Sequence, residues 1–146
     1  MNTIYDTHCH LQLKQYDSDR EEIIKRALDT NIKMICVGVD IETSKQAIKL
    51  AEKYDGVFAS VGLHPNDNLD EVYDQQVYLN LAQHPKVVAI GEVGLDYYRT
   101  TEEDKKKFQR ERFLKQIDLV IELDKPLIIH CRDAHADMLE ILRGAT

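Results

Sequence analysis

His8 and His10 stand two apart around Cys9. On an extended strand that spacing turns both imidazoles to one face and Cys9 to the other. Two neutral imidazoles on one face make the first half of a site for Zn, Mn, Fe or Ni, or a coincidental pair on a half-exposed strand end. Asp6 shares the face and could orient an imidazole from behind. Glu92 lies between Gly91 and Gly94, after the apolar run Val87, Val88, Ala89, Ile90. A carboxylate beside a buried strand needs a positive partner: a metal, two metals sharing its oxygens, or an arginine such as Arg99 or Arg132. His130 follows Leu127, Ile128 and Ile129, where a satisfied core histidine is the plain alternative. Arg132, two residues on, offers the fork of donors that a phosphate oxygen accepts. His64-Pro65 closes another apolar run. Asp96-Tyr97-Tyr98-Arg99 reads as an aromatic platform for a base or as a solvated turn. Cys9 and Cys131 fall one residue off the ligand face and read as packing rather than nucleophiles.

The elements that must position these residues form five strand-then-helix units. Strands are expected over 3–7, 34–39, 57–63, 87–93 and 126–131, and helices after each. Ser18 with Glu21 reads as a capping box before the stripe Ile23, Ile24, Ala27, Leu28. The second helix covers 42–54 and the third lies around 70–83. Thr100 or Thr101 caps a long helix through Leu123, with Phe108, Phe113, Ile117, Val120 and Ile121 on its inner face. Asp133 caps the last helix, which carries Met138, Leu139, Ile141 and Leu142.

Alternation of this kind means a parallel sheet with helices outside it. Two architectures fit: a five-stranded open, doubly wound sheet, or about five units of a (β/α)8 barrel. Length favours the open sheet, because such barrels typically need about 250 residues and this chain has 146. The chemistry favours the barrel. His8, His10, His64, Glu92 and His130 all fall at strand ends, and only a closed mouth brings distant strand ends together. The barrel is the preferred expectation, with 1–146 as the N-terminal part of one domain.

Bulk properties narrow the function classes. Hydrophobic residues make up 43% and charged residues 31%, an ordinary soluble composition. No apolar run approaches a membrane span, the N-terminus does not read as a signal peptide, and three cysteines fit a reducing, cytoplasmic setting. The net charge of −7 argues against an extended grip on a duplex. It allows a small site where bound cations meet a phosphate, with weak binding of DNA ends or short strands.

The stretches Asp6-Thr7-His8-Cys9-His10-Leu11, Val61-Gly62-Leu63-His64-Pro65, Gly91-Glu92-Val93-Gly94-Leu95-Asp96-Tyr97-Tyr98 and Ile129-His130-Cys131-Arg132-Asp133-Ala134 together resemble the TatD family of metal-dependent deoxyribonucleases. The resemblance implies a TIM barrel with two divalent ions (Mg, Mn or Zn) at its mouth. It implies that His8 and His10 bind the first ion, that Glu92 bridges both as the catalytic carboxylate, and that His130 binds the second. His64 and Arg132 match positions expected to contact substrate phosphate, and Asp96 and Tyr97 lie in the segment expected to meet substrate. The family also uses a His after strand six and an Asp after strand eight, which this sequence does not contain. The implied activity is cleavage of DNA phosphodiesters from strand ends. Alternatives are an amide or lactone hydrolase of the same superfamily, or a non-catalytic metal-binding piece. Five units of eight leave strand edges open, so self-association is expected.

Overall fold

The apolar runs assemble in sequence order into one parallel sheet, described over residues 2–67 and 71–145 of a computed structural model. The strands are β1 (Ile4–Cys9), β2 (Ile32–Val37), β3 (Val57–Val61), β4 (Val87–Asp96) and β5 (Leu127–Arg132). Between and after them lie α1 (Arg20–Asp29), α2 (Ile41–Lys53), α3 (Gln75–Ala82), α4 (Glu103–Leu123) and α5 (His135–Gly144). Every adjacent pair of strands is parallel. The order separates the two expected architectures, because a doubly wound sheet reverses its order at a switch point and this one never does. Curvature separates them again. β1 and β4 stand three strand spacings apart, about 14 Å along a flat sheet. Yet His8 Nε2 lies 3.2 Å from Glu92 Oε2. The sheet therefore curls as part of a barrel.

The core lies between the sheet and its helices. Met34 and Cys36 of β2, Ala47 and Ala51 of α2, and Val57, Ala59 and Val61 of β3 are all buried there. The edge strands differ from the central ones: most of β1 is exposed and β5 is at best half-buried, as strands with one neighbour should be. No helix among the described residues is long and apolar enough to cross a membrane.

Several helix starts differ from the sequence expectation. Ser18 forms no capping box. α1 begins at Arg20, whose guanidinium is tied back to the carbonyls of Leu11 and Leu13 and to Asp17, so the turn is fixed by arginine donors. A capping box does occur at α2, where Asp40 Oδ1 accepts from Thr43 N (2.7 Å) and Thr43 Oγ1 accepts from Asp40 N (3.1 Å). α3 is shorter than expected and is capped by Asp74; Asp70 lies outside the described residues. Glu102 rather than a threonine precedes α4, and Ala134 rather than Asp133 precedes α5, where Leu139 faces outward.

The largest correction concerns α4. Phe108 and Ile121, expected on its inner face, are 52% and 60% exposed. Gln109, Arg112 and Gln116 are buried instead, beside Phe113 and Ile117. Spaced by three and four, they form one stripe whose donors and acceptors complete loop backbone. Gln116 accepts from Leu63 N (2.8 Å) and donates to Leu63 O (3.0 Å). Arg112 Nη2 donates to the carbonyls of His64 (2.9 Å) and Pro65 (2.7 Å), and Gln109 accepts from Asp96 N (2.9 Å). The polar stripe thus holds the two segments that follow β3 and lead out of β4.

Candidate metal centre

Glu92 organises the site. Two glycines let β5 approach its strand closely: a Cβ at Gly91 (φ +151°) would stand 2.5 Å from Ile128 Cβ, and one at Gly94 (φ +141°) would stand 2.1 Å from the His130 carbonyl oxygen. Only glycine fits both the positive φ and the approach. The Glu92 side chain, 12% exposed, then faces four imidazoles. Oε2 lies 3.2 Å from His8 Nε2 and 4.0 Å from His10 Nε2. Oε1 lies 3.0 Å from His130 Nδ1 and 3.9 Å from His64 Nε2. Each carboxylate oxygen therefore serves one pair of histidines, and each pair packs edge to face.

Three of these rings are fixed from behind. His10 Nδ1 donates to the Val37 carbonyl at 2.9 Å, which leaves the Nε2 lone pair toward Glu92. His130 Nε2 lies 3.1 Å from Asp96 Oδ2, and His64 Nδ1 lies 2.6 Å from Asp67 Oδ2. A ring whose far nitrogen donates to a carbonyl or carboxylate is oriented as a metal ligand is. The two groups His8, His10, Glu92 and His64, Glu92, His130 each bring their ligand atoms within 4.8 Å of one another. The donor set fits divalent cations: imidazole nitrogens and a shared carboxylate. The arginine alternative for Glu92 is not realised, since Arg99 Nε approaches Asp96 at 3.9 Å and the Arg132 guanidinium stacks 3.8 Å over the Tyr98 ring.

The remaining sequence candidates separate. Asp96 is fully buried; burial pushes its carboxyl up, but the Arg99 N–H, the Asn66 amide and His130 outweigh this and hold it below the usual range. It touches His130. Tyr97 is half-buried and gives its hydroxyl to Asp137 (2.6 Å), so the exposed ring of the segment is Tyr98. Asp6 accepts from the His8 backbone N–H at 3.1 Å rather than from an imidazole. Cys9 turns away, its Sγ 3.8 Å from Cys36 Sγ. Sequence reasoning missed Asp67, whose carboxyl the His64 contact holds below its ordinary range. Its only signal was a carboxylate three residues after a histidine.

Comparison with known proteins adds a family. The sequence profile of the family described as TatD related DNase matches residues 5–146. An uncharacterized metal-dependent hydrolase of Bacillus subtilis, YabD, is 42% identical over 142 residues, 96% of this chain and 55% of that protein. The 3′-5′ ssDNA/RNA exonuclease TatD of Shigella flexneri is 34% identical over 143 residues, 95% of this chain and 54% of the relative. The crystal structure of YjjV, a TatD homologue from Escherichia coli K12, superposes with a TM-score of 0.80 at 30% identity, covering 97% of this chain and 56% of that one. The chain spans about half the length of the curated relatives it matches.

Proposed function

We propose, given that the chain belongs to the TatD related DNase family, that it is the N-terminal part of a barrel that hydrolyses nucleic-acid phosphodiesters with two divalent ions. The observation that carries this reading is the division of Glu92: one oxygen toward His8 and His10, the other toward His130 and His64. His8, His10 and Oε2 would hold one ion, and His130 and Oε1 the other. His64 Nε2 faces the same oxygen and would serve there as a further ligand or as a donor to a phosphate oxygen. The ions would supply Lewis-acid charge to the phosphate and to the attacking water.

The protein's own groups do the positioning. Val37 aims His10, Asp96 aims His130, and Arg112 and Gln116 fix the loop of His64. Arg132, stacked on Tyr98, presents a guanidinium to phosphate oxygens at the rim. A relative named as a 3′-5′ ssDNA/RNA exonuclease makes a single-stranded end the first substrate to try. The net charge of −7 agrees with weak binding of short strands. The test is cleavage of an end-labelled single-stranded DNA with Mg, Mn or Zn by this sequence joined to the half that its relatives possess. Metal-dependent trimming from one end, abolished in Glu92→Gln, is expected; unchanged trimming in that variant would overturn the reading.

A further inference from the structure

A second concavity adjoins the histidine cluster. It has a volume of about 370 Å³ and is lined by Pro65, Arg99, Glu102, Lys105, Phe108 and Arg112 among others. That volume is at the small end of ligand pockets. Among the described residues its lining carries three cations against one carboxylate, in a protein whose net charge is −7. Arg112 is 4% exposed, and its Nη1 has no hydrogen-bond partner among the described residues. A buried guanidinium N–H without an acceptor is costly, and an anion relieves it. Phe108, beneath the Arg112 guanidinium at 5.5 Å, is a large aromatic ring left 52% exposed on α4 between Lys107 and Gln109. A single exposed ring is ordinary on a surface; this one lines a cationic cavity and offers a face on which a base can stack.

The cavity is connected to the centre by two short links. Arg112 Nη2 holds the carbonyl of His64, and Arg99 approaches Asp96, which touches His130. A ligand there would sit beside the Glu92 cluster without using its ligand atoms.

We propose that this cavity binds one nucleotide of a single strand whose neighbouring phosphodiester lies at the Glu92 centre. Its base stacks on Phe108 and its phosphate meets Arg99, Lys105 and Arg112; Lys105 exchanges its Glu102 partner (2.7 Å) for the phosphate. The placement next to a scissile bond rests on the proposed nuclease reading, but binding in the cavity is measured without metal or catalysis.

The experiment titrates deoxyadenosine 5′-monophosphate into the full chain in a chelating buffer and follows backbone amide resonances. Saturable shifts centred on Arg99, Thr100 and Phe108 are expected. Deoxyadenosine and inorganic phosphate should each bind more weakly than the nucleotide. Phe108→Ala, at an exposed position, should weaken binding about 5- to 150-fold, the scale of one base–aromatic stack, and Lys105→Ala should weaken the nucleotide but not the nucleoside. No saturable binding, shifts centred away from the cavity, or wild-type affinity in Phe108→Ala would overturn the proposal. Absence of DNA cleavage with this binding intact would count against the nuclease reading alone.

Discussion

At the scale of single residues, Asp96 shows how the site is built from behind. Its carboxylate reaches no solvent; it spends one oxygen on the Arg99 N–H (2.9 Å) and the other on His130 (3.1 Å). Asp96→Asn keeps the shape but can hold His130 in the wrong ring tautomer, so in this sequence joined to the half that its relatives possess the affinity for the ion at His130 should fall about 10- to 100-fold with the fold intact. Unchanged affinity by calorimetry would mean that His130 is not a ligand. Asp137 allows a pH test away from the centre. The Tyr97 hydroxyl, followed by Arg110, holds its carboxyl below the ordinary range. A depressed carboxyl stabilises the fold above its unfolded pKa, about 3.9, and that contribution disappears as pH falls through the lower folded value. The thermal stability of Asp137→Asn should therefore lie below wild type at pH 7, with the gap closing below about pH 4. A gap that stays constant through this window would contradict the assignment.

At the scale of elements, strand ends and the residues they bear were legible in the sequence; what holds the loops was not. Alternating apolar runs located all five strands, and the spacing of His8 and His10 foretold their common face, because a period of two is a strong backbone rule. α4 defeated the same reasoning. Phe108 and Ile121 suggested the inner face by hydrophobicity, whereas the loops after β3 and β4 needed partners for bare backbone groups, so Gln109, Arg112 and Gln116 turned inward. Hydrophobic periodicity carries no record of where unsatisfied carbonyls will lie. Asp67 was hidden for a related reason, since its value depends on which His64 nitrogen faces the centre. Gln116→Ala should cost about 1–3 kcal/mol for each Leu63 group it leaves unpaired, read by denaturant unfolding. A loss under 0.5 kcal/mol, the level of an ordinary surface change, would show that water replaces it. Gly94→Ala should also destabilise, by at least about 2 kcal/mol, because the added Cβ meets the His130 carbonyl at 2.1 Å.

At the scale of the whole molecule, the partial barrel leaves a face open. A hollow of about 560 Å³ between Tyr5, Ile35, Phe58, Val88 and Ile128 lies along the sheet's inner side. Tyr5 in its lining is exposed, as are Ile4 and Ile129 on the two edge strands. Unpaired strand edges beside an apolar face favour association, so the 146-residue chain should self-associate as its concentration rises. Sedimentation showing a stable monomer throughout would oppose this.

The central claim is that one carboxylate and its histidines form a metal centre. Calorimetric titration of Zn or Mn into the full chain tests it most directly. Without the later ligands that the family resemblance implies, one dominant weak binding event is predicted, and it should vanish in the His8→Ala/His10→Ala double variant. No binding by the wild-type chain, or an event that survives in the double variant, would contradict the account.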